Sequence, residues 1–228
     1  MFNLKGSIVA LVTPMNSDGT IDWQALKDLI EWHINSGSAG IVIVGTTGES
    51  ATLDVAEHVQ VIEKSVKIAD GRIMVIAGTG ANSTKEAIYL TASAKSAGVD
   101  AALLVTPYYN KPSQEGLYRH YSNIADEVDL PQILYNVPSR TGCDLLSDTV
   151  IKLVPHDNIV GLKDATGDLN RLDEILILLQ DLKDNEFKLY SGDDPTATQF
   201  MLNGGSGTIS VTANVVPSSI AEISKKAL

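Results

Sequence analysis

The chain has 228 residues, a formal net charge of −11 and 44% hydrophobic residues. That apolar share supports a sizeable core and excludes a disordered chain. The acidic balance excludes non-specific binding to nucleic acid or to an anionic membrane, since both need positive charge. The first strand-like run, SIVALV, begins near Ser7. Asp22 to Ser36 follows, with Trp23, Leu26, Leu29, Ile30 and Ile34 at helical spacing. Further apolar runs begin near Ala39 (AGIVIV), Ile73 (IMVIAG), Ala101 (AALLVT), Gln132 (QILYNV), Ile159 (IVGLK), Phe187 (FKLYSG) and Gly207 (GTISVT). Between the third and fourth, Ser83-Thr84-Lys85-Glu86 is a capping box that opens a helix through Ala97. Gly37 and Gly98 stand where helices stop. The last segment, Pro217 to Leu228, starts a helix with Ile220 and Ile223 on one face.

The apolar runs are short, β-branched and nearly continuous, as strands covered on both faces by helices must be. Eight strand–helix units of about thirty residues each predict an α/β fold, a (β/α)8 TIM barrel. An open doubly wound sheet is the alternative, and the lack of G-x-G-x-x-G after the first strand counts against it. One domain is expected over residues 1–228. It is expected to be truncated after strand eight and part of helix eight, because no capping glycine follows Lys226-Ala227-Leu228. All apolar runs fall short of a bilayer span, and Met1 to Gly6 carries no signal-peptide pattern. The single cysteine, Cys143, precludes an internal disulfide and fits a reducing, cytoplasmic setting. The four histidines show no metal-ligand spacing, so no metal is expected.

In such a barrel the C-terminal strand ends surround the active site. Lys163 ends the sixth run. Its stem has an apolar environment, so burial disfavours the ammonium form and makes the amine a usable nucleophile for Schiff-base formation. The bland alternative is a lysine that snorkels into water. Tyr135 ends the neighbouring fifth run and can point its phenol toward Lys163. After strand two, Gly45-Thr46-Thr47-Gly48 offers hydroxyls and backbone N–H groups suited to a carboxylate. After strand five, Arg140 sits in a tight loop bounded by proline and glycine, and its fork also suits a carboxylate. After strand four, Tyr108 and Tyr109 stand side by side in a loop.

Seven motifs in this order resemble the dihydrodipicolinate synthase family, among the N-acetylneuraminate lyase-like class I aldolases. They are GTTGES at 45–50, AGTGAN at 77–82, VTPYYNKPSQEG at 105–116, LYNVPSRTG at 134–142, GLKDATG at 161–167, SGDD at 191–194 and ISVTANV at 209–215. The resemblance implies a lyase of lysine biosynthesis by the diaminopimelate route. It would condense pyruvate with L-aspartate 4-semialdehyde to give 4-hydroxy-tetrahydrodipicolinate, without an external cofactor. By the same resemblance Lys163 forms the imine, Tyr135 is the general acid–base, and Thr46 relays protons between Tyr135 and Tyr109. That tyrosine comes from the neighbouring subunit of a homodimer or homotetramer. Thr47 holds the pyruvate carboxylate, Arg140 positions the semialdehyde, and backbone groups at Gly192 and Ile209 complete the pocket. A feedback site for lysine would use Ser50, Ala51, His58, Asn82, Glu86 and Tyr108. Val55 stands there where histidine is common, which weakens the inhibition expected. A sister aldolase acting on a sugar acid and a catalytically silent barrel are the alternatives.

Overall fold

A computed structural model describes residues 2–182 and 186–228. Eight parallel strands close in chain order into a barrel. They are β1 (Gly6–Ala10), β2 (Gly40–Ile43), β3 (Met74–Gly78), β4 (Ala101–Val105), β5 (Gln132–Asn136), β6 (Ile159–Asp164), β7 (Lys188–Ser191) and β8 (Gly207–Ser210). Pairing of β8 with β1 excludes the open doubly wound sheet. The outer layer holds α1 (Trp23–Asn35), α2 (Val55–Ala69), α3 (Thr84–Ala97), α4 (Gln114–Glu127), α5 (Pro138–Thr141), α6 (Ser147–Leu153), α7 (Leu169–Gln180), α8 (Ala197–Leu202) and α9 (Pro217–Ala227). Among the described residues no helix is long and apolar enough to cross a membrane.

Local chemistry fixes these boundaries. Asp22 and Asp54 accept N-terminal backbone N–H groups of α1 and α2 at 2.9 and 2.8 Å. Ser83 Oγ accepts from Glu86 N at the start of α3, and Gly98 ends that helix at φ 89°. These contacts satisfy backbone groups that a helix end otherwise leaves orphaned. The two-residue period of the strands then builds two apolar layers. Ile8, Val42, Ile76, Leu103, Ile133 and Ile209 fill the barrel interior. Val9, Ile41, Val75, Leu104, Leu134 and Leu162 face the helices. Each such buried side chain contributes about 1.5–3 kcal/mol.

Two local features differ from the sequence reading. The loop expected around Arg140 is one helical turn, α5. Pro138 opens it with a φ that suits a helix start, and Gly142 closes it at φ 66°. In α9, Ile220 packs on the core while Ile223 is 42% exposed. The buried residues there are Pro217 and Ser224. At about 100° per residue, positions 217, 220 and 224 share one stripe and Ile223 swings off it.

Closure depends on Gly6 and Gly207, which sit opposite each other where β1 meets β8. A Cβ on Gly207 would lie 2.3 Å from Gly6 O and 2.8 Å from Gly6 N. Gly207→Ala therefore lowers the unfolding free energy by about 1–3 kcal/mol, the usual cost of overpacking. Urea unfolding of the two proteins measures this, and an unchanged midpoint would contradict so close an approach.

Candidate active site

The register between β5 and β6 shifts at Gln132 and Ile133, which sets Tyr135 directly opposite Lys163. Lys163 is in turn paired with Tyr190 on β7. Tyr135 and Tyr190 belong to the interior layer, so the lysine between them points inward, while Leu162 packs outward. Gly192 makes room for the lysine stem, since a Cβ there would lie 2.8 Å from Lys163 Cε. Lys163 is only 4% exposed, and its Nζ sits 4.2 Å from the centre of the Tyr135 ring.

Burial dominates the chemistry of that amine. Desolvation pulls its pKa down to about 7, the Asp194 carboxylate opposes the shift, and the Arg140 guanidinium adds to it. A substantial fraction is then neutral, and nucleophilic, at neutral pH. The Tyr135 phenol moves the other way. Burial raises its pKa, against smaller opposing effects of the Thr46 hydroxyl and the Arg140 charge. Tyr135 thus keeps its proton beside an amine that is partly deprotonated at neutral pH. A tyrosine face also attracts any positive charge that returns to Nζ.

Thr46, bonded to Tyr135, leads from this pair into an entrance cavity of about 340 Å³, lined also by Glu49, Tyr108, Val137, Arg140 and Thr141 among others. The loops around it are strained. Among the described residues five non-glycines take positive φ, and four of them, Val44 (45°), Glu49 (59°), Tyr109 (73°) and Lys111 (45°), lie in the loops after β2 and β4. For β-branched Val44 this conformation is a genuine outlier. Each such residue costs roughly 1–3 kcal/mol and persists only where the surroundings enforce it. Glycines provide the space: a Cβ on Gly78 would lie 2.4 Å from Val44 O, and one on Gly80 2.2 Å from Val105 N.

The fold thus brings Lys163, Tyr135 and Thr46 together, with Arg140 exposed at the entrance. Ile209 is wholly buried in the interior layer. The Gly192 N–H is bonded to Asp164 O at 2.7 Å. Thr47 is half-buried and does not line the entrance cavity. Tyr109 is 90% exposed and stands outside its own chain's cavity.

A second cavity of about 100 Å³ collects Ser50, Ala51, His58, Glu86 and Tyr108, with Val55 in its wall. Asn82 stands behind it, its Nδ2 donating to Tyr108 O at 3.3 Å. His58 Nε2 lies 2.9 Å from Gly78 O, and a carbonyl can only accept, so that nitrogen carries the proton. Burial lowers the His58 pKa, partly offset by this bond. For Tyr108, burial and then the Glu86 charge raise the pKa. Both cavities share Ser50, Ala51, Gly80 and Tyr108.

The sequence reading did not single out a polar network behind the catalytic strands. Asn136 Nδ2 donates to Asp144 Oδ1 at 2.8 Å and to Asp164 Oδ1 at 3.1 Å, and Asn136 Oδ1 accepts from Leu145 N at 3.0 Å. Arg171 Nη1 closes the group on Asp144 Oδ2 at 3.1 Å. Burial raises the Asp164 pKa, and Thr166, Asn136 and Arg171 oppose it. The network ties the ends of β5 and β6 side by side. Its members lie within or near recognised motifs, but only the register reveals that they face away from the lysine.

A closed barrel with a partly deprotonated lysine, a protonated tyrosine and an arginine around one mouth is equipped to handle a carbonyl acid, the work of a (β/α)8 lyase. The chain belongs to the dihydrodipicolinate synthetase family, whose model matches residues 3–228. It is 58% identical over 225 residues to the 4-hydroxy-tetrahydrodipicolinate synthase of Stutzerimonas stutzeri, covering 99% of this chain and 76% of that relative. Among solved structures, the chloride-inhibited dihydrodipicolinate synthase of Acinetobacter baumannii complexed with pyruvate superposes with a TM-score of 0.94 at 56% identity, over 99% of this chain and 76% of that one. The enzyme of Cyanidioschyzon merolae with lysine bound superposes with a TM-score of 0.90 at 38% identity, over 97% and 74% of the two chains.

The depressed pKa of Lys163 has a direct chemical consequence. Carbamylation by cyanate, followed by peptide mass spectrometry, compares Lys163 with exposed lysines such as Lys5. The ratio of labelling at Lys163 to that at Lys5 falls as pH rises above about 7, where the buried amine is already neutral. A ratio that is constant with pH would mean that the buried amine titrates like a surface one.

Proposed function

We propose that this chain is the lyase that condenses pyruvate with L-aspartate 4-semialdehyde, through an imine on Lys163, to give 4-hydroxy-tetrahydrodipicolinate. The observation that carries this reading is the buried Lys163 amine against the Tyr135 ring, with a pKa near neutrality. Neutral Nζ adds to the ketone carbon of pyruvate, and uptake of one proton with loss of water leaves a protonated imine. Loss of a proton from the methyl carbon gives an enamine, which attacks the aldehyde carbon of the second substrate. Each step moves a proton, and Tyr135 with Thr46 is the group at hand to carry it. No cofactor is required, because the imine nitrogen itself takes up the electrons of the breaking C–H bond.

Thr47 and the backbone of the β2 loop hold the pyruvate carboxylate, and the Gly192 carbonyl and Ile209 complete that pocket. Arg140 receives the carboxylate of the semialdehyde at the entrance. Its single charge on a short helical turn suits a small acid better than the polyol chain of a sugar acid. Tyr109 reaches a neighbouring subunit's site in a homodimer or homotetramer. Its 90% exposure and strained backbone support a role outside its own chain. The smaller cavity binds lysine as an inhibitor, with Glu86 positioned for the ligand's amine. Its shared wall with the entrance supplies the coupling between the two sites. The route is that of lysine biosynthesis, in the cytoplasm.

A coupled condensation assay tests the reading. Tyr135→Phe keeps pyruvate affinity and loses about 10²–10⁴-fold in kcat, the usual contribution of a general acid–base. A wild-type rate in that variant removes Tyr135 from the mechanism. Arg140→Ala raises KM for the semialdehyde more than for pyruvate, by the loss of a charge-assisted contact of roughly 1.5–3 kcal/mol. Equal effects on both substrates would make Arg140 a structural residue.

A further inference from the structure

The imine reaction creates a positive charge in a desolvated place. Neutral Nζ, one proton and the ketone become a protonated imine and water, so the cation resides on the lysine nitrogen. A buried cation needs a partner. Around Lys163, Tyr135 faces it from β5, Tyr190 from β7, Arg140 acts from α5 and Asp194 from the turn after β7. Of these four, Asp194 alone carries negative charge.

The carboxylate is anchored. Asp194 Oδ2 accepts from Val211 N at 3.1 Å, from Thr212 N at 2.8 Å and from Thr212 Oγ1 at 2.8 Å. Burial raises its pKa, but the Ser210 hydroxyl and these donors outweigh that, so it stays ionised below the ordinary carboxylate range. The bonds tie the end of β7 to the turn after β8. Two residues earlier, Gly192 packs against the lysine stem. Neighbouring Asp193 is engaged elsewhere, capping Thr196 N and Oγ1 at 3.2 and 2.7 Å. The two aspartates of SGDD therefore have different work.

We infer that Asp194 is a positioning residue for the lysine, a fixed countercharge anchored to the β8 turn that stabilises the positive nitrogen formed at Lys163. This rests on the imine reading above. The test is the pH dependence of borohydride-trapped pyruvate adduct in the full chain, read by intact mass. In Asp194→Asn the midpoint of adduct formation moves to lower pH by about half a unit or more, because the ammonium has lost its partner. Pyruvate affinity falls about three- to tenfold, the effect of one missing charge at the protein's effective dielectric. Thr212→Val, which loosens the anchor and keeps the charge, shifts the midpoint in the same direction by less. Asp193→Asn leaves it in place. A purely structural role for Asp194 would reduce the adduct without moving the midpoint. An unmoved midpoint in both Asp194→Asn and Thr212→Val, or an equal shift in Asp193→Asn, overturns the inference. Absence of any adduct in the unmodified protein would instead overturn the imine reading itself.

Discussion

The desolvation of one amine is the constraint on which the rest depends. An ammonium in the interior of a barrel is costly, and the protein meets that cost by letting the group lose its proton. Everything around Lys163 serves that condition. Leu162 faces the helices and holds β6 in place, so the two-residue alternation turns the next residue, Lys163, inward. Tyr135 covers Nζ with a ring rather than with a carboxylate in direct contact. Gly192 lets the β7 end close over the stem. The same burial that lowers the pKa of the amine raises that of the phenol beside it, so one environment drives the two groups apart.

The mouth of the barrel is built on the opposite economy. The strands are regular and apolar, whereas the loops after β2 and β4 hold Val44, Glu49, Tyr109 and Lys111 in left-handed conformations. The barrel can support that strain because its closure and its two apolar layers are over-determined. Gly78 and Gly80 mark where the loops press onto the strand ends. The entrance and the smaller cavity share Tyr108 and Ser50, so a ligand that shifts this wall in one cavity alters the other. The network of Asn136, Asp144, Asp164 and Arg171 ties the ends of β5 and β6 together, next to the alignment of Tyr135 with Lys163.

Much of the fold was legible because its signal is local. All eight strands start within one residue of the apolar runs, since both faces of each strand are covered. Asp22, Ser83 and Gly98 announced helix ends by chemistry that acts over three or four residues. The site was legible less evenly. Strand ends gave Lys163, Tyr135 and Arg140 a common address, but which way each side chain points follows from register. That register shifts at Gln132 and Ile133 for reasons no two-residue pattern contains. The turn at Pro138–Thr141 is too short to show a helical period. Ile223 appeared to share a face with Ile220, until the docking stripe of α9 ran through Pro217 and Ser224 instead. Asp194 was visible only as part of a motif, because its meaning depends on Val211 and Thr212, brought beside it by the pairing of β7 with β8.

The central claim is that the buried amine of Lys163 is the carbonyl-binding group. Treating the protein with pyruvate and borohydride, then mapping peptides by mass spectrometry, tests it most directly. The account predicts a single reduced adduct, on the peptide that contains Lys163, formed at neutral pH and absent from Lys163→Ala. An adduct on another lysine, or one that persists in Lys163→Ala, would contradict it.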